Sequence, residues 1–128
     1  VNRVSAAGLQ ARQYFHRYGS DAIDLCDVLA SFNNQNKMKL DDLARILGLP
    51  GKPDGIDGSM VEPLFNEGKI AEVAAYCESD VVNTYRVWLA YELFRGELSD
   101  ASYDESEARL RAFLMEHAEN KPHLVTLL

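Results

Sequence analysis

The sequence has few cysteines and no long apolar run. Its two cysteines, Cys26 and Cys77, are too few for a disulfide framework, and they lack the Cys-x-x-Cys spacing of a metal site. No apolar stretch approaches the roughly 20 residues that a membrane-spanning helix needs. We therefore expect a cytoplasmic protein without a membrane segment, in which both thiols are reduced and lie in the core.

Positive charge is scarce for a protein that coats nucleic acid. The 13 Lys and Arg residues against 20 Asp and Glu residues give a net charge of -7, which disfavours non-specific binding to phosphates. The distribution is uneven, since residues 1–53 carry seven Lys or Arg and five Asp or Glu. That part contains a basic and aromatic cluster, which could stack on single-stranded bases or pack within the fold, made of Tyr14, Phe15, His16, Arg17 and Tyr18.

Material for β-strands is also thin. Two short apolar runs, 22–26 and 124–127, predict strands, and Asp27 after the first run would cap a short helix over 28–32. A lone strand is unstable and has to pair with another. The chain is therefore predicted to be almost entirely helical, or to be part of a sheet whose other strands it lacks.

Helical patterns are strong by contrast. Residues 39–48 form an amphipathic pattern that ends at a glycine, and Ser59 with Glu62 indicates a capping box for a short helix. A further helix is predicted to begin within 99–104 and to end before Pro122. The longest pattern, 69–95, has no glycine or proline, and it predicts one helix that buries a regularly spaced row: Ile70, Val73, Cys77, Val81, Thr84 and Trp88.

Tyr76 and Asp80 are the candidate catalytic pair. They are four residues apart, so they share one face of the long helix, and Glu72 and Asn83 extend the same polar row. A carboxylate can bind a hard cation while a tyrosine hydroxyl orders a water, as metal-assisted hydrolysis requires. Taken by itself, however, this spacing is common, and a solvated helix face is the simpler interpretation.

Three segments occur in an order that resembles a known family. They are Ile23-Asp24-Leu25, then Lys39–Ala44 with Leu47–Lys52, and then Tyr76–Tyr85. From about Tyr14 to Leu98 the chain resembles the C-terminal half of the 3′–5′ exonuclease domain of DNA polymerase B-type enzymes. It is most similar to a bacterial family of predicted exonucleases related to that domain.

The resemblance implies a ribonuclease H-like fold in which four acidic residues bind two divalent ions, Mg²⁺ or Mn²⁺. It places the chain in the tyrosine variety of DEDD exonucleases, in which a tyrosine orients the attacking water. It implies that Tyr76 and Asp80 are catalytic, that Asp80 is a metal ligand, and that Asp24 is structural. The implied partner is the 3′ end of a single-stranded nucleic acid, DNA or RNA, whose phosphodiester bonds the complete protein hydrolyses.

The chain departs from the family pattern at the first acidic residues. Neither the Asp-x-Glu pair nor the Asn-x-x-Phe-Asp type of motif occurs in the sequence. We therefore expect a mainly α-helical chain that is the C-terminal portion of an α/β domain with its early strands missing. Residues 1–98 are assigned to that domain and 99–128 to a helical extension. By itself, the chain is expected to bind the ions weakly or not at all, to be inactive, and to self-associate.

Two further points stay open in the sequence. Lys52, in the turn-rich segment 48–58, is a candidate contact for a substrate phosphate, although a solvated loop lysine is the simpler interpretation. The alternative function is a non-catalytic helical module for protein interaction, built on the long helix and the acidic segment 97–119. The three histidines show no metal-ligand spacing and receive no catalytic role.

Overall fold

A computed structural model describes residues 16–19, 22–51 and 58–128. The chain divides into two compact units, Val1–Met38 and Lys39–Leu128. All regular structure in the described ranges is helical, and no β-strand occurs in them. The prediction of a mainly α-helical chain is therefore confirmed. None of the helices in these ranges is both long and apolar enough to cross a bilayer.

The first unit contains the short helix α1 (Leu25–Leu29) and a 3₁₀ turn at Asn34–Asn36. The side chain of Asp24 caps α1 by accepting a hydrogen bond from the backbone N–H of Asp27 at 3.2 Å. The strand predicted over 22–26 and the helix predicted over 28–32 are both wrong. Because the cap lies at Asp24 and not at Asp27, the apolar residues that suggested a strand begin the helix instead.

Asp27 is a buried carboxylate that two cations hold within the first unit. Arg17 Nε donates to Asp27 Oδ2 at 2.5 Å, and Lys37 Nζ lies 2.8 Å from Oδ1. The guanidinium of Arg17, and then the ammonium of Lys37, lower the pKa of Asp27 from 3.8 to about 2. A lowered carboxyl pKa stabilises the fold above pH 3.8, and this contribution is lost as the pH falls toward 2.

The second unit is built around one long helix. Its helices are α2 (Leu40–Ile46), α3 (Val61–Asn66), α4 (Ile70–Arg95) and α5 (Asp100–His117), and a 3₁₀ segment, Pro122–Leu127, follows them. All of these other elements pack against α4. The 26-residue α4 ends at Gly96, whose φ of +78° provides the left-handed cap that glycine favours. The predicted long helix is therefore confirmed, as are the helices predicted before Gly48 and after Ser99.

The strand predicted in this unit is wrong, and the capping box stays a prediction. Helix α3 begins at Val61, with Met60 at the cap position and Ser59 in the 3₁₀ turn Gly58–Met60 before it. Pro63 fits in the first turn, where a missing N–H costs no helical hydrogen bond. The strand predicted over 124–127 is part of the 3₁₀ segment, whose Leu124 and Leu127 are buried in a small core with Val82 and Leu114.

The buried face of α4 also differs from the predicted one. Val81 is 68% exposed, and Cys77 and Cys26 are exposed as well, so the prediction that both thiols lie in the core is wrong. The packing face is rotated toward polar residues, of which Asn83 and Arg86 bind partners outside α4 and Ser79 binds the backbone oxygen of Ala75 within it. This face consists of Ser79, Val82, Asn83, Arg86, Val87 and Leu89. The spacing of apolar residues in the sequence cannot predict which polar residues are buried through such partners.

Arg86 joins α4 to α5 and to the C-terminal segment. Its side chain is 1% exposed, and its Nε lies 3.2 Å from each carboxylate oxygen of Glu107. Its Nη1 donates to the backbone oxygen of Leu127 at 2.5 Å. Because a buried guanidinium has to be paired, these contacts specify how both elements pack on α4.

We predict that Glu107→Ala strongly destabilises the second unit. The substitution leaves Arg86 buried without its carboxylate, a loss that costs about 3 kcal/mol or more in comparable pairs. The matched control is Glu105→Ala, which removes the exposed pair of Glu105 with Arg109 on the same helix and should cost less than about 0.5 kcal/mol. Urea denaturation of the two variants checks this, and equal midpoints would contradict the role given to Arg86.

Candidate functional site

Tyr76 and Asp80 lie one turn apart on α4, as predicted. Both side chains are partly buried, and Asp80 Oδ1 is shielded from solvent. In the predicted polar row, Glu72 is exposed and Asn83 is fully buried. The row therefore passes from solvent into the interior, and the candidate pair lies at the boundary. A carboxylate there can meet a ligand from solvent while the surrounding protein restricts its position.

Asn83 attaches the loop after α2 to α4, one turn beyond Asp80. Its Nδ2 donates a buried hydrogen bond to the backbone oxygen of Gly51 at 2.9 Å. Gly51 has a φ of +71°, and a Cβ added there would lie 2.6 Å from Asp41 Oδ1. Asp41 is itself paired with Arg45 at 3.0 Å on α2. Gly51 is therefore confined between α2 and α4.

A second approach of the chain lies on the other side of Asp80. A Cβ added at Gly58 would lie 3.7 Å from Tyr76 Oη, so the backbone passes close to the tyrosine hydroxyl. The chain thus meets α4 at Asn83 and again at Tyr76, the two positions that flank Asp80. Lys52, the predicted phosphate contact, belongs to 52–57, which lies outside the described residues, and its role stays a prediction.

Glu78 on α4 carries an ion-pair network that the sequence analysis missed. It pairs with Lys121, and its Oε2 lies 2.7 Å from His123 Nε2. The hydrogen bond from Lys121, with a smaller contribution from His123, lowers the pKa of Glu78. These contacts attach the C-terminal segment to α4 at Glu78, which lies between Tyr76 and Asp80 in the sequence. The sequence offers no signal for them, because the partners are 43 and 45 positions apart.

A metal site within the described residues would need a set of side chains that could bind the ion. Across 16–19, 22–51 and 58–128, no group of three or more His, Cys, Asp or Glu side chains is arranged to hold a metal ion. Asp80 is the one predicted ligand, whereas a hard cation such as Mg²⁺ takes roughly six oxygen ligands. The donor set in these ranges therefore does not fit a complete two-ion centre.

We predict that Gly51→Ala is more destabilising than Gly48→Ala. Both glycines have a similar positive φ, +71° and +73°, but only Gly51 has neighbours within 4 Å of an added Cβ. The conformational cost is about 1 kcal/mol at either position, and at Gly51 the Asp41 carboxylate also has to move, which disturbs its pair with Arg45 and adds roughly 0.5 kcal/mol.

Thermal unfolding of the two variants tests this prediction. Asp41→Ala combined with Gly51→Ala should recover the additional loss, because it removes the atom that the new Cβ meets. Equal losses for Gly48→Ala and Gly51→Ala would show that Gly51 is not confined between the two helices.

Comparison with known proteins identifies a family. Residues 6–128 match the model of a family described as predicted 3′–5′ exonucleases related to the exonuclease domain of PolB. No curated protein and no solved structure matches the chain. The matched range includes every described helix, from α1 to the C-terminal segment. The chain therefore belongs to the family of predicted 3′–5′ exonucleases related to the exonuclease domain of PolB.

Proposed function

We propose that this chain supplies part of the active centre of a metal-dependent 3′–5′ exonuclease that acts on single-stranded DNA or RNA. The observation that carries the proposal is the position of Tyr76 and Asp80. This chain belongs to an exonuclease family, and the two residues lie one turn apart on α4, where its exposed surface meets its buried face. The reaction would be hydrolysis of the phosphodiester bond at the 3′ end, as in the tyrosine variety of DEDD exonucleases.

In this proposal the two residues have different roles. Tyr76 orients the attacking water through its hydroxyl, which lies close to Gly58. Asp80 binds a divalent ion, and the complete centre takes two ions, Mg²⁺ or Mn²⁺, which supply positive charge at the reacting phosphate. Few metal-binding side chains come together in the described residues. This supports the proposal that the chain by itself binds these ions weakly or not at all.

The remaining acidic residues would come from a part of the domain that this sequence does not include. The absence of an Asp-x-Glu pair supports this interpretation. The chain would then be the C-terminal half of a ribonuclease H-like domain, with residues 99–128 as a helical extension. A cytoplasmic location is proposed as well, and the two thiols, which form no disulfide, support it.

The alternative is a non-catalytic module for protein interaction. It is favoured by exposed apolar side chains on α4, where Ile70 is 53% and Val81 is 68% exposed. Exposed apolar patches are typical of interaction sites, and the same residues support the proposal that the chain self-associates. In this alternative, Asp80 has no role in hydrolysis.

The test is an oligonucleotide ladder labelled at the 3′ or the 5′ end, with Mg²⁺ or Mn²⁺, using the longest protein that contains this chain. We predict shortening from the 3′ end. Asp80→Ala abolishes it, because a metal ligand is lost. Tyr76→Phe slows it about 10²–10⁴-fold, because only the hydroxyl that orients water is removed. Asp104→Asn, on the exposed surface of α5, is the matched control and keeps the wild-type rate.

Three outcomes would contradict the proposal. A wild-type rate in Asp80→Ala would show that this residue is not the metal ligand. Hydrolysis by residues 1–128 alone would show that their centre is complete. The absence of hydrolysis by the longer protein with either ion would favour the interaction module.

A further inference from the structure

The first unit carries an exposed group of aromatic rings that the proposed catalytic residues do not use. Tyr18 is 66% exposed, and its ring centroid lies 4.8 Å from that of Phe32 and 6.1 Å from that of His16. We propose that these three residues, the aromatic cluster, bind bases of single-stranded nucleic acid, with Tyr18 as the ring on which a base stacks. Tyr14 and Phe15, also in the predicted basic and aromatic group, lie outside the described residues.

Arg17 fixes the positions of two rings of the cluster. Its guanidinium carbon lies 5.8 Å from the centroids of both Tyr18 and Phe32. Its Nη2 donates to the backbone oxygen of Phe32 at 3.4 Å, while its Nε is paired with Asp27. A ring that is already positioned loses little freedom when a base stacks on it, and this favours binding.

The backbone at Phe32 is also restrained in an uncommon conformation. Ser31 and Phe32 have φ values of 51° and 59°, although neither is glycine. The N–H of Phe32 donates to the backbone oxygen of Asp27 at 2.7 Å, and the N–H of Ser31 donates to that of Val28 at 3.0 Å. Positive φ at two successive ordinary residues is unfavourable and concentrates at functional sites. Here it places Phe32 beside the exposed ring of Tyr18.

The charges around the cluster favour stacking over phosphate attraction. Arg17 and Lys37 are 44% and 38% exposed, but both are paired with Asp27. Within 16–19 and 22–38, the part of this unit that the structure describes, Asp24 at the start of α1 adds a second negative charge. The two cations are therefore balanced, and the rings have to supply most of the binding. Aromatic side chains stack on any base, which is typical of proteins that bind single strands without sequence preference.

The inference rests on the proposed function only for the choice of ligand, since a 3′–5′ exonuclease acts on single strands. Its test is separate from hydrolysis. Fluorescence anisotropy of a labelled dT12 strand, with EDTA present, measures binding to residues 1–128 when no metal ion is available. Tyr18→Ala should weaken binding by about 5–150-fold, the range that corresponds to one stacked base. Tyr18→Phe keeps the ring and should bind within about 2-fold of wild type.

The matched control is Phe94→Ala, which removes an aromatic ring that is 90% exposed on α4 in the second unit. It should leave the affinity for dT12 unchanged. A plot of the logarithm of the association constant for dT12 against the logarithm of the salt concentration should have a slope of about -1 or shallower, because few phosphates are neutralised. Competition by a dT12·dA12 duplex should be weak, since its bases are already stacked.

Several results would overturn this inference. They are no binding of dT12, equal affinity of Tyr18→Ala and wild type, preference for the duplex, or a steep dependence on salt. Asp104→Asn, on the exposed surface of α5, should bind dT12 like wild type. Because binding is measured without a metal ion, a failure of the aromatic cluster to bind is distinguishable from a failure of the proposed hydrolysis, which depends on Asp80.

Discussion

The buried guanidinium of Arg86 is the interaction on which the second unit depends. It lies on α4 and meets α5 through Glu107 and the C-terminal segment through Leu127. A charge in the interior is tolerated only with close partners, so the arrangement of these three elements is specified more narrowly than apolar packing alone would require. The small apolar core shares Leu127 with this contact. Together they determine which face of α4 is buried and leave Tyr76 and Asp80 at its boundary.

Contacts from other parts of the second unit also position the candidate site. Asn83 binds the oxygen of Gly51 on one side of Asp80, and Gly58 approaches Tyr76 on the other. Glu78 adds a third attachment through Lys121 and His123. A single helix thus carries the proposed chemistry, and the rest of the unit restricts where that helix presents it. This arrangement suits a metal ligand, whose carboxylate has to be held in a defined position.

Long local patterns in the sequence predicted the helices well. Contacts between residues that are distant in the sequence could not be predicted from it. The absence of glycine and proline over 69–95 identified α4, and Gly96 identified its end. The strand predicted over 22–26 is wrong because a local cap at Asp24 outweighs a short apolar run. The buried face of α4 was assigned wrongly because Arg86 and Asn83 are buried through partners 21 to 41 positions away. The shared helix face of Tyr76 and Asp80 could be predicted because the two residues are one helical turn apart in the sequence. The contacts of Glu78 could not be predicted, because its partners are distant in the sequence.

The most direct measurement of the central claim is a manganese titration of the ¹⁵N-labelled chain followed by NMR. Paramagnetic broadening reports weak binding and identifies the residues nearest the ion. If Asp80 is the ligand that α4 presents, broadening at millimolar Mn²⁺ should be strongest at the amides of residues 76–83 and should disappear in Asp80→Asn. Broadening that instead follows the acidic surface of α5, or that persists unchanged in Asp80→Asn, would contradict the account.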